Sequence, residues 1–265
     1  MRIANIQFAP ALLDLQATIG RLDRLLCKAQ KADLVVLPEL ANSGYNFSSR
    51  EEAFSVAEPI FKSLFLSFLQ MKCIEHSFHV VTGFNELDEE DGKIYNSAVL
   101  VGSEGVVGCY RKLHLFQNEK HYFEPGNLGL PLFEVDGMKI GMLVCFDWTF
   151  PETWRIMALN GAQLICHPSN LVLPGFAQRV IPAHAIMNRV FIATANRIGI
   201  EGELTFTGNS IIVDPKGNEL VRGGEGQEEI LWADINPELA NDKMLTPLNH
   251  SFEDRRIDVY QLEEK

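Results

Sequence analysis

The chain has 265 residues and a formal net charge of −12 at pH 7. A chain of this length can bury one substantial core, so we expect a single domain over residues 1–265. No local basic cluster offsets the acidic balance, which argues against nucleic acid as a partner. No apolar run approaches the roughly 20 residues of a membrane span, and the sequence predicts a soluble, cytoplasmic protein with no membrane partner.

The cysteines and the first residues of the chain also bear on the compartment. Five cysteines, an odd number without a Cys-x-x-Cys pair, favour reduced thiols over a disulfide framework. Residues 1–8 alternate as a strand does, and they lack the charged region and long apolar core of a signal peptide. Both observations favour a reducing compartment.

Apolar periodicity divides the first half of the chain into strands and helices. Leucines and isoleucines at helical spacing predict a helix over residues 12–31. Residues 60–74 predict a second helix, with Phe61 and Leu64 on its core face. The acidic turn at residues 88–93 is typical of a solvated hairpin tip. The predicted strands of this half are residues 1–8, 32–39, 78–84, 94–101 and 106–114.

The second half opens with a long irregular segment, residues 116–130, and a segment of that length inside a compact domain is usually functional. After it the pattern repeats strand, helix, strand, as in an α/β sheet. The predicted helices are residues 151–160 and a helix containing 182–188. The predicted strands are residues 140–144, 162–167, 190–196, 209–213 and 229–235. We expect the last two strands to complete a second sheet.

Three predicted strands end in residues with complementary chemistry. Glu39 ends a buried strand, Lys112 lies near the end of the strand over residues 106–114, and Cys145 lies where a strand gives way to a helix. A thiol that attacks a carbonyl needs a base to ionise it and a cation or N–H donors to stabilise the oxyanion. Strand ends of an α/β sheet are where ligands usually bind. The sequence therefore predicts a nucleophilic site built from these three residues.

The same residues lie in recognisable motifs. Glu39 follows Leu-Pro, Lys112 lies in Tyr-Arg-Lys-Leu-His, and Cys145 begins Cys-Phe-Asp-Trp-Thr-Phe-Pro-Glu. With Asn96-Ser97-Ala98 and Phe123-Glu124-Pro125-Gly126, the chain resembles the nitrilase, or carbon-nitrogen hydrolase, superfamily over its whole length. The resemblance implies a four-layer α-β-β-α sandwich and hydrolysis of a non-peptide C–N bond through a thioester.

The resemblance also implies further site residues. A second glutamate follows the lysine in that family, and Glu119 matches it best, with Glu124 as a nearby competitor. The backbone N–H of Phe146 is expected to help bind the oxyanion. Trp148 and Asn170 are expected to contact substrate. Tyr45 lies in the loop after Glu39, where it either contacts substrate or packs the loop onto the sheet.

Rival chemistries leave weaker signals. His167 or His184 paired with Cys145 would make a cysteine-protease-like dyad, but a strand-end loop explains residues 167–170 better. The remaining histidines show no zinc-type spacing, so no metal is expected. Residues 223–226 are rich in glycine, yet no Lys-Ser or Lys-Thr follows them, so the sequence implies no nucleotide and no cofactor.

The expected reaction is hydrolysis of a small amide to a carboxylic acid and ammonia. Nitrile-cleaving relatives usually carry Cys-Trp-Glu where this chain has Cys145-Phe146-Asp147, which favours an amide. The alternatives are a small aliphatic nitrile, an N-carbamoyl compound, or transfer of the acyl group to an acceptor other than water. Apolar residues in the polar tail after Pro237, together with the resemblance, predict a homodimer or a larger even assembly.

Overall fold

The structure, a computed structural model, describes residues 1–260; the last five residues of the predicted domain lie outside the described part. The first half of the chain contributes five strands and three helices. They are β1 (Arg2–Gln7), α1 (Leu15–Lys28), β2 (Leu34–Val36), α2 (Arg50–Ser55), α3 (Leu64–His76), β3 (His79–Leu87), β4 (Ile94–Gly102) and β5 (Gly105–Arg111).

The second half contributes the remaining elements. They are α4 (Glu119–Tyr122), β6 (Leu132–Val135), β7 (Met138–Met142), α5 (Pro151–Leu159), β8 (Leu164–Ser169), α6 (Phe176–Asn188), β9 (Phe191–Asn196), β10 (Ile200–Glu201), β11 (Leu204–Thr205), β12 (Ile211–Val213), β13 (Glu219–Arg222), β14 (Glu229–Asp234), β15 (Met244–Thr246) and β16 (Asn249–His250). Short 3₁₀ turns span Ile60–Lys62, Cys145–Thr149 and Pro237–Ala240.

Two six-stranded sheets form the centre of the molecule. The first has the order β14-β1-β2-β3-β4-β5 and the second the order β13-β12-β9-β8-β7-β6. In each sheet three strands run parallel, β1-β2-β3 in one and β7-β8-β9 in the other, and antiparallel strands flank them. Both sets of parallel strands are buried runs, as strands covered on both faces must be.

The side chains of β1 show how the layers stack. Ile3 packs into the core between the sheets, whereas Ala4 and Ile6 pack outward against α1 and α3. The Asn5 amide also points inward and donates to the carbonyl oxygens of Thr194 (3.0 Å) and Ile211 (3.1 Å) in the second sheet. Helices α5 and α6 pack together on the other side of the second sheet. The predicted α-β-β-α sandwich is confirmed.

Two details differ from the sequence-based expectation. The strand predicted over residues 229–235 does not join the second sheet; as β14 it pairs antiparallel with β1 in the first. The predicted helix over residues 60–74 begins only at Leu64, because the Ser63 hydroxyl caps it by accepting from the N–H of Leu66 (3.0 Å). Phe61 therefore lies in a separate turn, 90% exposed, and Leu64 is also exposed.

The tail after Pro237 contacts α5, one of the helices that cover the second sheet. The Phe252 ring lies 5.0 Å from both the Arg155 guanidinium carbon and the Lys243 ammonium nitrogen, while Leu248 and Ile257 are exposed. Such apolar residues are consistent with an interface, and dimerisation stays a prediction. Within residues 1–260, none of the helices is both long enough and apolar enough to cross a membrane.

Candidate active site

Two buried charges meet where β2 and β5 end. Glu39 lies three residues after β2 and Lys112 directly after β5, and both side chains are fully buried. The ammonium of Lys112 donates to Glu39 Oε1 over 2.7 Å. Isolated charges are costly inside a protein, so each of these two requires the other. The structure thus brings together two of the three residues that the strand ends predicted.

Glu119, the first residue of α4, completes a carboxylate–ammonium–carboxylate cluster. Its Oε1 and Oε2 lie 2.8 Å and 2.7 Å from Lys112 Nζ. Its competitor Glu124 lies outside the cluster, 3.3 Å from the Arg50 guanidinium at the surface. The geometry therefore distinguishes two glutamates that the sequence left open.

The cluster holds two carboxylates and one ammonium, and this imbalance appears in the pKa values. Burial disfavours the charge of Lys112, but Glu119 and Glu39 outweigh burial and raise the pKa of Lys112, so the ammonium stays charged. Burial, assisted by the charge of Glu39, raises the pKa of Glu119 to about 7 against the attraction of Lys112. Glu119 therefore titrates near neutral pH, so the net charge of the cluster changes with the protonation of Glu119.

Only one of the two carboxylate oxygens of Glu39 has hydrogen-bond partners among the described residues. Oε1 accepts from Lys112 and from the Asn96 amide, each over 2.7 Å. Oε2 is buried and has no hydrogen-bond partner among residues 1–260. The backbone beneath is fixed by β3, where a Cβ on Gly83 would lie 2.2 Å from the Glu39 Cα, so only glycine fits. A buried, unpartnered carboxylate oxygen is suited to accept a proton.

Cys145 occupies a tight turn between β7 and the following helix. Its φ is +42°, in the left-handed region that costs a residue with a Cβ roughly 1–2 kcal/mol. Such strain persists only where neighbouring groups hold it. His167 Nε2 lies 2.9 Å from the Cys145 carbonyl oxygen, and the Asp147 carboxylate accepts from the Val144 N–H over 2.9 Å.

Asp147 links this turn to β5. Its fully buried carboxylate accepts from the Tyr110 hydroxyl and lies 2.7 Å from His114 Nδ1. The Trp154 indole in α5 donates to the Asp147 carbonyl oxygen over 3.1 Å. Asp147 thus joins the turn at Cys145 to β5, the strand that directly precedes Lys112.

The Cys145 thiol is 4% exposed, and burial, followed by the charge of Glu39, raises its pKa well above the ordinary value. Lys112 acts in the opposite direction. Glu39 and Lys112 are therefore close enough to Cys145 to influence the ionisation of its thiol. A thiol with a raised pKa is neutral near pH 7, so attack requires a base that removes its proton during the reaction.

The histidines do not supply that base. Burial lowers the pKa of His167 to about 4, and its Nε2 faces the backbone oxygen of Cys145 rather than the sulfur. His184 Nε2 lies 2.9 Å from the Trp148 carbonyl oxygen, and its ring stacks on Trp154 at 4.7 Å. Both rings support the nucleophile's turn, and neither forms the dyad considered as a rival.

Three of the residues expected to contact substrate surround the nucleophile. Phe146, Trp148 and Asn170 line a cavity of about 10 Å³ beside Cys145. The Asn170 amide has a structural contact as well, donating to the Glu39 carbonyl oxygen over 2.9 Å. A space of this size holds about one water molecule, so only the reacting carbon and its nearest atoms fit there.

Tyr45 lies behind Glu119. Its hydroxyl donates to Glu119 Oε1 over 2.7 Å, and its ring packs edge-on against Phe206. The buried Glu201 carboxylate accepts from the backbone N–H groups of Tyr45 (3.0 Å) and Asn46 (2.8 Å). This geometry makes Tyr45 a positioning residue for Glu119, anchored to the two-stranded β10–β11 sheet and the residue that follows it.

One grouping of side chains that could bind a metal lies between α1 and α3. Cys27, Glu75 and His76 place one potential ligand atom each within 4.8 Å of one another. The Lys72 ammonium lies 3.9 Å from the Cys27 sulfur and 2.8 Å from Glu75. A fixed cation therefore already lies among these groups.

Asn96 and Asp147 have roles that the sequence did not reveal. Both lie inside the motifs that carry the family resemblance, but only spatial contacts show what they do. Asn96 meets Glu39 across 57 positions of sequence, and Asp147 meets Tyr110 across 37. In the sequence, these roles are indicated only by the presence of a polar residue, Asn96 or Asp147, inside a family motif.

A family model for carbon-nitrogen hydrolases matches residues 2–243. The chain therefore belongs to the carbon-nitrogen hydrolase family. It is 42% identical over 262 residues to a protein named nitrilase from Pyrococcus abyssi, covering 98% of this chain and 99% of that protein. It is 30% identical to an N-carbamoylputrescine amidase from Solanum tuberosum, covering 98% and 93%.

The fold also matches a solved structure closely. The carbon-nitrogen hydrolase from Helicobacter pylori G27 superposes with a TM-score of 0.88 at 29% identity, covering 98% of this chain and 97% of that one. Family and fold thus agree with the sequence motifs.

Proposed function

We propose that the protein hydrolyses a small amide to a carboxylic acid and ammonia through a thioester on Cys145. The observation that carries the proposal is the state of Glu39. One carboxylate oxygen is engaged by Lys112 and Asn96, and the other is buried without a partner among the described residues. A neutral thiol needs such a base.

In the first half-reaction, Glu39 Oε2 takes the thiol proton as the sulfur bonds to the amide carbon, and the carbonyl oxygen becomes an oxyanion. A lysine ammonium has three N–H donors. Lys112 donates one hydrogen bond to Glu39 and one to Glu119, which leaves a third N–H for the oxyanion beside that of Phe146. The C–N bond then breaks, and Glu39 returns the proton to ammonia.

In the second half-reaction, water attacks the thioester carbon while Glu39 takes its proton. The tetrahedral intermediate expels the sulfur, which recovers the proton from Glu39, and the acid leaves. One carboxylate therefore acts as base and then acid in each half. Glu119 and Tyr45 hold Lys112 in register between the two steps.

We favour an amide over a nitrile because of the atom on which negative charge develops when the thiol attacks. Attack on an amide creates an oxyanion at once, which a fixed ammonium stabilises, whereas attack on a nitrile creates a nitrogen anion that must be protonated. The strong attraction of both carboxylates keeps the Lys112 pKa raised, which makes it a reluctant proton donor. Nitrile and N-carbamoyl hydrolysis stand as the alternatives, since relatives carry those names.

The test measures ammonia release from matched amide and nitrile pairs with the same acyl chain, together with mass spectrometry for an acyl-enzyme. We expect a higher kcat/KM for the amide, and no adduct or turnover in Cys145→Ala. Cys27→Ala, which alters a half-buried thiol in α1, serves as the matched control and should retain activity. Wild-type turnover by Cys145→Ala would refute the proposal.

A nitrile that is the better substrate at every chain length would favour the nitrilase alternative. Added hydroxylamine separates hydrolysis from acyl transfer. If water is the natural acceptor, acid forms at full turnover without any added amine. Turnover that occurs only when an amine or hydroxylamine is supplied would indicate an acyltransferase.

A further inference from the structure

A second, much larger cavity adjoins the space at the nucleophile. It measures about 760 Å³ and shares Val172 and Leu173 with the cavity of about 10 Å³ beside Cys145. The small cavity accommodates little beyond the reacting atoms. The shared residues Val172 and Leu173 mark a route by which a longer acyl chain extends from the small cavity into the large one.

One wall of the large cavity holds a buried amide with no partner. Gln178, in the first turn of α6, is 7% exposed and lines the cavity. Neither its Oε1 nor its Nε2 has a hydrogen-bond partner among residues 1–260. Unpaired buried polar groups are uncommon and costly in folded proteins. A ligand that supplies a hydrogen bond to this amide removes part of that cost.

The charges around the large cavity determine which terminal group of a ligand it favours. Glu203 and Glu225 are exposed at its margin, and the described residues form no ion pair with either. The single guanidinium, that of Arg222, is already bound by Glu219, with Nε–Oε2 at 2.8 Å. Among the described side chains that line the cavity, the uncompensated charge is therefore negative. This negative charge attracts a cation and repels a carboxylate over a distance that is limited by salt screening.

We infer that the cavity binds the far end of the substrate's acyl chain and selects an amide whose chain ends in an ammonium group. The ammonium donates to Gln178 Oε1 while Glu203 and Glu225 supply the surrounding negative potential. This inference rests on the proposed amide hydrolysis and names the substrate class of that site.

The experiment compares primary amides of equal chain length that end in an ammonium, a methyl or a carboxylate group. In the wild type we expect kcat/KM to fall in that order, with about tenfold between ammonium and methyl, the size of one hydrogen bond to a buried group. Gln178→Leu keeps the bulk and should remove this advantage. Glu228→Gln, on the same loop as Glu225 but outside the cavity, is the control and should leave the order unchanged.

Preference for the methyl-ended or carboxylate-ended amide in the wild type would overturn the inference. So would a Gln178→Leu variant that lowers all three substrates equally, because that result indicates only a structural role. Calorimetry with Cys145→Ala gives a readout independent of turnover, and tighter binding of the ammonium-ended amide is expected there. Hydrolysis of short amides with no preference among the three terminal groups would refute this inference but would still support the proposed function. Failure of every amide to turn over would count against the proposed function alone, because the binding measurement still decides the inference.

Discussion

Glu119 offers the most direct test of how the buried cluster works, because its pKa of about 7 falls inside the range of an ordinary assay. The attraction between Glu119 and Lys112 at 2.7 Å amounts to about 6 kcal/mol at an effective dielectric constant near 20. Burial and Glu39 nevertheless outweigh it, since a rise from 4.5 to about 7 corresponds to about 3 kcal/mol against the carboxylate. Glu119 is therefore protonated in a substantial fraction of molecules near neutral pH.

When Glu119 is protonated, Lys112 keeps only Glu39 as an ionic partner, and the ammonium is no longer held in register between two carboxylates. Activity should therefore rise with pH as Glu119 ionises. Between pH 6 and pH 8 the ionised fraction grows from about one-tenth to about nine-tenths, so kcat/KM should rise about tenfold. Glu119→Gln fixes the neutral form, and we expect its kcat/KM to be about 100-fold lower at pH 8 and flat across this window.

The control is Glu124→Gln, which neutralises the other glutamate of the same segment, at the surface beside Arg50. It should reproduce the wild-type profile. Ammonia release from one amide, measured at half-unit steps of pH, is sufficient for all three proteins. A wild-type profile without this rise, or a Glu119→Gln variant that retains it, would refute the reasoning.

Three further predictions follow from contacts described above. Asn96→Leu removes a donor to Glu39 and should lower kcat about 10²-fold while the melting temperature moves by only a few degrees; near-normal kcat would remove Asn96 from the site. The His167 pKa of about 4 lies below the unfolded value of 6.5, so the unfolded chain binds the extra proton and stability falls as pH drops between them. In urea titrations at pH 6.5 and pH 4, His167→Asn should therefore lose about 3 kcal/mol less unfolding free energy than the wild type, and equal losses would contradict this. Light scattering should give a dimer or larger even assembly that Leu248→Glu weakens, and a monomeric wild type at micromolar concentration would exclude that role.

Local patterns in the sequence were sufficient for the parts of the fold that depend on local chemistry. The strands before Glu39 and Cys145 could be predicted because buried parallel strands are short apolar runs with clear ends. Helix α5 could be predicted because Pro151 and Glu152 favour a first turn. The motif residues Glu39 and Lys112 meet at those strand ends.

Other features depend on partners that no local pattern identifies. An alternating segment such as β14 reads as a strand, but the sheet it joins is chosen by tertiary packing. The contacts that set Asn96 on Glu39 arise from the pairing of β3 with β4. The exposure of Phe61 follows from the cap at Ser63, which lies inside the segment that periodicity predicted to be helical and makes the helix begin later.

The position of β14 has a consequence for the order in which the molecule can be assembled. Residues Arg2 and Asp234 are neighbours in the first sheet although 232 positions separate them. During synthesis the sheet that carries Glu39 and Lys112 must wait for residues 229–234, and until then one edge of β1 has no partner strand. Such an edge readily pairs with other chains. A chain that stops before β14 should therefore aggregate rather than persist as a smaller folded protein.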